Sequence, residues 1–367
     1  MIKLFHPYVS WRALWYVLKV LFHEKQLAEG PIVKQLEQEF AEKYWLRNVA
    51  AVNSGTSALA LAYELAGIGE GDEVITPALT CTATNLPLLH RKATIVFADT
   101  DDRLQIDLND ARRRITPKTK AVVVVFFGGW WPEGFETFCI EMQQKGIKVI
   151  ADAAQAVAPQ GKPFGKAGIP PLSVADFTCI SMQAIKTLTS GDGGFIICKD
   201  NDDHEKAKRL RWFGYDREEK QKLGDTDLLE AGYKYQMNDI TASIALGNLR
   251  SLDYVFERRR KVAQMYSDEL SKVCLTYAMP WMTIVMVPDA ENLHRLLKTV
   301  GIESGQYHYR NDRYTVFGGL RRDLPRNDAI QDKYLLLPYH HRLSTKQVKF
   351  VIESVSRFVY DAHNNQN

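Results

Sequence analysis

The feature that most limits the fold of this chain is a series of apolar, strand-like runs separated by helical intervals. Such runs occupy 73–76, 93–98 and 120–127, and another at 146–151 directly precedes Asp152. Strands that alternate with helices form parallel sheets whose two faces the helices cover. The sequence therefore predicts an α/β fold with a mostly parallel sheet sandwiched by helices. Its 367 residues suit a large domain over 1–250 and a smaller C-terminal α+β domain over 251–367.

Two chemically distinctive residues lie on this framework, Asp152 and Lys186. Asp152 follows a strand, so it should lie where open α/β sheets bind ligands, and an anion there can hold a heteroaromatic nitrogen protonated. Lys186 lies between apolar runs at 174–181 and 193–198 and is followed by a glycine-rich turn. A lysine between two buried strands is partly desolvated, which lowers its pKa and leaves a neutral nucleophile. We therefore predict that Lys186 holds a carbonyl-bearing cofactor covalently, although most single lysines are solvated surface charges.

A third feature is the Asn-Ser-Gly-Thr-Ser run at 53–57, which joins a short strand at 49–52 to a helix at 58–65. Backbone amides and hydroxyls converge at such a helix N-terminus and can hold a phosphate. Ser and Thr are also ordinary helix caps, so the run alone supports either interpretation equally. Together with Asp152 and Lys186 it favours a phosphate site, with Gly55, Thr56 and Ser57 as the candidate residues.

Composition and motifs argue against several other classes of protein. The chain has 47 basic and 44 acidic residues, a net charge of +3, so electrostatic capture of nucleic acid is not indicated. Its five cysteines are scattered without a Cys-x-x-Cys pair, and no His-Glu-x-x-His occurs. This predicts a cytoplasmic protein with no disulfide scaffold and no metal. No Gly-x-Gly-x-x-Gly opens a predicted helix, which weakens a nicotinamide-dependent oxidoreductase.

The N-terminal run at 11–22 is apolar, but Arg12 and Lys19 interrupt it and no small-residue cleavage site follows. It is too short to span a bilayer. We predict an amphipathic helix packed on the large domain and no membrane span, with a role at a membrane surface as the weaker alternative. A second helix is predicted at 33–44.

Five motifs together resemble one enzyme family. They lie at 53–58, 69–77, 115–120, 152–155 and at Lys186 with its glycines, in the family's order and over nearly the whole chain. The family is the DegT/DnrJ/StrS group of nucleotide-sugar aminotransferases, which use pyridoxal 5′-phosphate on the fold-type-I architecture of aspartate aminotransferase. The resemblance implies a sheet of the seven-stranded type and Lys186 as the carrier of the cofactor. It also implies Asp152 at the ring nitrogen, with Gln155 and Ser181 at the ring and phosphate.

The chain departs from the family pattern at several positions. Cys81 stands where an aromatic residue usually stacks on the cofactor ring, and Gln183 stands where a histidine precedes the lysine. The usual His-Leu-Tyr-Gly after the central strand is Phe-Phe-Gly-Gly at 126–129. Lys234 replaces an asparagine in the segment that crosses to the neighbouring subunit, where a lysine can bind the cofactor phosphate as a point charge. The resemblance thus implies a homodimer with shared active sites.

The remaining candidate residues concern the substrate. Two segments, 212–217 and 306–313, combine aromatic residues with arginine, a composition that suits a nucleotide diphosphate. A plain surface loop and a solvated edge strand explain the same composition about as well. The candidates are Trp212, Arg217, Tyr307, His308, Tyr309 and Arg310.

The resemblance implies transfer of an amino group from L-glutamate to a nucleotide-linked keto sugar, with pyridoxamine phosphate as the intermediate. Family frequency favours a 4-keto-6-deoxyhexose, and the product is an amino-deoxy sugar for glycan or polysaccharide biosynthesis. Three alternatives are kept: a dehydratase of the same fold, which carries histidine in place of Lys186, a catalytically silent regulator, and a nicotinamide-dependent oxidoreductase.

Overall fold

The computed structural model describes residues 1–24, 26–28, 30–157 and 172–364, and a seven-stranded sheet forms the centre of this part. Its strands are Val49–Val52 (β1), Glu73–Pro77 (β2), Thr94–Ala98 (β3), Thr119–Val125 (β4), Lys148–Asp152 (β5), Phe177–Ser181 (β6) and Gly194–Cys198 (β7). Their order across the sheet is β1-β7-β6-β5-β4-β2-β3. In this sheet β7 runs antiparallel to β1 and β6, and the other neighbouring pairs are parallel. The predicted mostly parallel sheet is confirmed.

Helices cover both faces of this sheet. In β1, Val49 and Ala51 pack into one hydrophobic cluster, whereas Ala50 and Val52 pack into another. This alternation follows from the two-residue repeat of a strand. Because such strands are buried on both faces, they appear in the sequence as continuous apolar runs.

The helices of the described residues are bounded as follows. They are Trp11–Lys19 (α1), Pro31–Tyr44 (α2), Gly55–Leu65 (α3), Thr82–His90 (α4), Leu108–Arg113 (α5), Phe135–Gln144 (α6), Asn201–Leu210 (α7), Arg217–Leu223 (α8), Asp239–Leu249 (α9), Leu252–Leu270 (α10), Ala290–Thr299 (α11), Pro325–Ile330 (α12) and Thr345–Asn364 (α13). A π-helical turn, Val20–Glu24, follows α1, and short 3-10 turns occur at Phe127–Gly129, Asn311–Arg313 and Thr315–Phe317.

The C-terminal part contains a second, smaller sheet. Its antiparallel strands are Leu275–Ala278 (β8), Thr283–Met286 (β9) and Tyr334–Leu337 (β10), in the order β10-β9-β8. Helices α10 and α11 pack on this sheet, and α13 packs on both of these helices. We propose 250/251 as the boundary between this part and the large domain.

The apolar pattern at 238–272 predicts one long helix, and this prediction is wrong. The chain leaves the helix after Leu249 and resumes at Leu252, because Ser251 has φ −115° and ψ 7°. At the break, the Arg250 guanidinium is bound by Glu39 of α2 and by the Tyr16 hydroxyl of α1. Apolar residues continue on both sides of the break, so their periodicity did not reveal it.

Helix α1 packs on α9 through its buried residues Ala13 and Tyr16, as predicted for the N-terminal run. Its opposite face is apolar and exposed, with Trp11 86% and Trp15 57% exposed. Among the described residues, no helix combines the length and the apolar character needed to cross a bilayer.

A buried carboxylate joins α9 to the N-terminus of α2. Asp239, the first residue of α9, accepts hydrogen bonds from the amide of Gly30 and from those of Ile32 and Val33, at 3.0 and 3.4 Å. Amides in the first turn of a helix have no acceptor within that helix, and a negative charge near them is favourable. Asp239 therefore satisfies several donors that are otherwise buried without a partner.

We expect Asp239→Ala to lower the free energy of unfolding by about 2–4 kcal/mol, because it leaves buried amides without an acceptor. Urea denaturation followed by circular dichroism measures the change. Glu70→Ala is the control, since that side chain is 76% exposed in a surface ion pair with Lys92 and should matter by less than about 1 kcal/mol. Equal effects of the two substitutions would contradict the role given to Asp239.

Candidate active site

The carboxyl ends of parallel strands bring the predicted residues to one edge of the sheet. Asp152 ends β5 and Ser181 ends the adjacent strand β6. The segment 53–57 follows β1 and includes the first turn of α3. Lys186 lies in the non-helical connection from β6 to β7, as its glycine-rich surroundings predict.

The amine of Lys186 lies among aromatic rings. Its Nζ is 4.3 Å from the ring centroid of Trp281 and 5.9 Å from that of Tyr307. Burial lowers the pKa of Lys186 to about 8, and the charges of Asp152 and Cys81 oppose part of this decrease. Lys186 therefore carries a larger neutral, nucleophilic fraction near pH 7 than an exposed lysine does.

Asp152 is buried and held in one orientation. Its Oδ2 accepts a hydrogen bond from Thr84 Oγ1 at 2.7 Å, and its Oδ1 accepts one from the Ala154 amide at 3.1 Å. Burial raises the pKa of Asp152, whereas these hydrogen bonds and the charge of Lys186 lower it. A buried carboxylate of this kind is stabilised by a cation, and a protonated ring nitrogen supplies one. Sequence reasoning missed Thr84, because a threonine in the first turn of α4 is an ordinary residue there.

The N-terminus of α3 has the arrangement expected of a phosphate site. Ser54 Oγ accepts the amide of Ser57 at 3.0 Å, and Ser57 Oγ donates to Asn53 Oδ1 at 2.6 Å. Within the described part of the chain, the amides of Gly55 and Thr56 donate to no protein acceptor. A Cβ on Gly55 would lie 2.8 Å from the Ser181 Cβ, so only glycine lets the helix begin this close to β6. These residues fit a phosphate group beside Ser181.

Gln155 links the large sheet to the C-terminal part. Its Oε1 accepts the amide of Gly128 at 2.7 Å, and its Nε2 lies 2.8 Å from Nε2 of His308. Burial, followed by the charge of Lys186, lowers the pKa of His308 to about 3, so the imidazole is neutral and can accept from Gln155. His308, predicted as a substrate residue, thus lies beside the cofactor candidates.

The Phe-Phe-Gly-Gly segment at 126–129 brings another residue to the site. Gly128 has φ +69°, and a Cβ there would lie 2.0 Å from the sulfur of Met279. Its carbonyl accepts the amide of Trp281 at 2.9 Å, and Trp281 carries the ring nearest Lys186. Sequence reasoning missed Trp281, because nothing in its local pattern points to a lysine far away in the chain.

Tyr307 and Cys81 are also near the amine. The Tyr307 ring centroid lies 5.1 Å from that of Trp281 and 4.4 Å from that of His308. Cys81, which precedes α4, lies close enough that a negative charge on its sulfur raises the pKa of both Lys186 and Tyr307, while burial raises the pKa of the Cys81 thiol itself. The C-terminal part of the chain therefore supplies the aromatic rings next to the Lys186 amine.

The structure gives Arg310 a different role from the predicted one. Arg310 is 1% exposed, and its Nε and Nη2 are each 2.7 Å from the carboxylate of Asp312, while its Nη1 binds Asp328. A guanidinium enclosed by two carboxylates supports the local fold rather than a ligand. Tyr309 is 43% exposed, with the Arg313 guanidinium 4.6 Å from its ring centroid.

Trp212, Arg217 and Lys234 lie elsewhere in the structure. Trp212 and Arg217 line a cavity of about 560 Å³ whose lining includes neither Lys186 nor Asp152. The Lys234 carbonyl accepts from Asn53 Nδ2 at 3.1 Å, but the Lys234 amine is directed to Phe213, 5.0 Å from the ring centroid. In the described ranges, no three His, Cys, Asp or Glu side chains gather as a metal ion would require.

The environment of Lys186 predicts an unusual reactivity. When the full-length chain is labelled without cofactor by a limiting amine reagent, modification of Lys186 should be half-maximal near pH 8, since burial lowers its pKa to about 8. Exposed lysines titrate near 10.4, to within about one unit. Peptide mass spectrometry reads the labelling at each pH.

Asp152→Asn tests the sign of the electrostatic contribution. Because the carboxylate stabilises the ammonium, its removal should lower the labelling midpoint of Lys186 further. Asp192→Asn is the matched control, an exposed residue of the same connection whose side chain accepts the Gly193 amide at 2.9 Å. A midpoint that rises in Asp152→Asn, or moves equally in both variants, would contradict this electrostatic assignment.

The chain is similar to known proteins along most of its length. Residues 13–356 match the DegT/DnrJ/EryC1/StrS aminotransferase family. The chain is 36% identical to the spore coat polysaccharide biosynthesis protein SpsC of Bacillus subtilis (strain 168), over 67% of this chain and 64% of that protein, which is less than two thirds of that relative's length. It is 27% identical to UDP-4-amino-4-deoxy-L-arabinose–oxoglutarate aminotransferase of Shewanella sediminis (strain HAW-EB3), over 91% of this chain and 92% of that protein.

Solved structures show the same fold. The sugar aminotransferase CalS13 from Micromonospora echinospora has a TM-score of 0.88 and 30% identity, over 97% of this chain and 100% of that one. Spr1654 from Streptococcus pneumoniae, solved in PMP and PLP forms, has a TM-score of 0.88 in the PMP form, with 24% identity over 98% of this chain and 100% of that one. The family predicted from the sequence is confirmed, and the chain belongs to the DegT/DnrJ/EryC1/StrS aminotransferase family.

Proposed function

We propose that this aminotransferase moves an amino group from L-glutamate to a nucleotide-linked 4-keto-6-deoxyhexose in the cytoplasm. Similarity to an aminotransferase named for a 4-amino sugar and for oxoglutarate supports carbon 4, and it supports glutamate, the aminated form of oxoglutarate, as the donor. Similarity to a polysaccharide biosynthesis protein supports an amino-deoxy sugar that enters a glycan or polysaccharide.

The observation that carries this proposal is the meeting of Lys186, Asp152 and the first turn of α3 at one edge of the sheet. Each fits a different part of pyridoxal phosphate: the amine fits the aldehyde, the carboxylate fits the ring nitrogen, and the amides fit the phosphate. When bound, pyridoxal phosphate supplies a ring that accepts electrons from the carbon that loses a proton.

Lys186 acts twice in this proposal. It first holds the cofactor, and after the amino donor has released it, its amine moves a proton from the α-carbon of the donor to the former aldehyde carbon. A pKa of about 8 suits both roles, because such an amine gains and loses a proton near neutral pH. Asp152 keeps the ring nitrogen protonated, while Gln155 and Ser181 contact the ring and the phosphate.

We also propose a homodimer with shared active sites. Within one subunit, the Lys234 amine is directed to Phe213, and Trp212 and Arg217 line a cavity without Lys186. These three residues therefore act on the neighbouring subunit's site in the proposal. Lys234 binds the cofactor phosphate there, and Trp212 and Arg217 contact the nucleotide diphosphate of the substrate.

The direct test mixes the purified protein with L-glutamate and a panel of 4-keto and 3-keto nucleotide sugars, followed by mass spectrometry and NMR. We expect amination at carbon 4 of a 6-deoxy sugar and no product with Lys186→Ala. Lys199→Ala, which removes an exposed lysine bound to Gln143, should keep its activity. Loss of water without gain of nitrogen would favour the dehydratase, and an unchanged panel with cofactor bound would contradict the proposed reaction.

Co-expression of two inactive variants tests the shared site. Lys186→Ala and Lys234→Ala should each lose activity as homodimers, whereas a mixed dimer has one intact site made of Lys186 from one subunit and Lys234 from the other. Random assortment places about a quarter of all sites in the intact class, so about a quarter of wild-type activity should return. No recovery, or full activity of Lys234→Ala alone, would contradict the shared site.

A further inference from the structure

Arg259 supplies a buried cation next to residues 185–187, which we call the Lys186 turn. The reaction described above gives this cation no role. Arg259, on α10, is 4% exposed. Its Nη1 donates to Thr187 Oγ1 at 2.5 Å, and its Nη2 lies 3.5 and 3.3 Å from the carbonyl oxygens of Trp281 and Tyr339. The guanidinium carbon is 5.0 Å from the Tyr339 ring centroid. No carboxylate of the described chain forms an ion pair with it.

Two of the three groups that Arg259 contacts adjoin the reactive amine. Thr187 is the next residue after Lys186. Trp281 carries the ring that lies 4.3 Å from Nζ, and its Nε1 donates to the carbonyl of Ile185 at 3.3 Å. The lysine is therefore held on both sides, at Ile185 by the indole and at Thr187 by the guanidinium.

A buried arginine without a carboxylate is costly, and an apolar residue of similar volume avoids the cost of removing a charge from water. The planar guanidinium can, however, bind a hydroxyl and two carbonyls at once, which neither lysine nor an apolar side chain can do. These contacts join three separate parts of the chain: the turn after β6, the turn before β9 and the segment after β10. The guanidinium therefore does more than fill space, because its hydrogen bonds hold these three parts together.

We propose that Arg259 is a positioning residue that fixes the Lys186 turn against the ring of Trp281 and so keeps the reactive amine enclosed. The inference rests on the proposed role of Lys186. Without Arg259, the turn and the ring are free to separate, and water reaches Nζ. The amine then behaves more like an exposed lysine, and less of it is neutral at pH 7.

The test compares Arg259→Met with Arg258→Met in the full-length protein. Arg258 is the matched control, because it lies on the same helix and donates to the carbonyls of His341 and Leu343 at 3.1 Å each, away from the Lys186 turn. For each variant we measure the pH midpoint of Lys186 labelling without cofactor, the Kd for pyridoxal phosphate, and the Tm.

We expect Arg259→Met to raise the labelling midpoint by about 0.5–1 pH unit, which corresponds to an about three- to tenfold smaller neutral fraction and an equally weaker affinity for pyridoxal phosphate at pH 7. Arg258→Met should leave both values at the wild-type level, even if its Tm falls. If Arg259→Met changes the Tm alone, with the midpoint and the affinity as in wild type, its role is only structural and the proposal is overturned.

Variants of Thr187 test the same hydrogen bond from its other end and replace Arg259→Met if that variant does not fold. Thr187→Val removes the acceptor with little change in volume and should raise the labelling midpoint of Lys186. Thr187→Ser keeps the hydroxyl and should leave the midpoint at the wild-type value. Equal midpoints for valine and serine would overturn the proposal.

Failure of the proposal for Arg259 can be distinguished from failure of the proposed function. If Lys186→Ala binds pyridoxal phosphate as tightly as wild type, the role of Lys186 fails, whereas the labelling midpoints, which need no cofactor, still test what Arg259 does.

Discussion

The desolvation of a single amine is the constraint on which this site depends. Lys186 is reactive near neutral pH only if little water reaches Nζ, and the rings of Trp281 and Tyr307 create that condition. Burial lowers the pKa of Lys186 to about 8, while the carboxylate of Asp152 prevents a larger decrease. The structure must therefore hold the turn and the rings together, because a small separation would return the amine to water.

The sheet places complementary charges around this amine. Parallel strands end at a common edge, so the carboxylate at the end of β5 and the free amides at the start of α3 lie on the same side of the sheet as the lysine. A cofactor with an anionic phosphate and a cationic ring nitrogen finds an opposite partner at each end. The close contact of Gly55 with Ser181 shows how little space separates the helix from the sheet.

The sequence was sufficient for the mostly parallel sheet and for the positions of residues whose local pattern is distinctive, but not for the break between α9 and α10. Neighbouring residues were enough to place Asp152 at the end of a buried strand and Lys186 in a non-helical connection. Trp281 and Arg259 could not be recognised in this way, because they reach the lysine only through tertiary contacts. Local composition also misled: Arg310 lies in an aromatic and basic segment, yet Asp312 encloses its guanidinium.

Borohydride reduction of the protein with pyridoxal phosphate shows whether Lys186 carries the cofactor. Reduction fixes the cofactor to the amine that holds it, and peptide mass spectrometry then identifies the residue. We expect one cofactor mass per chain, attached to Lys186 and absent from Lys186→Ala. A cofactor fixed on another lysine, or none fixed at all while pyridoxal phosphate is bound, would contradict this expectation.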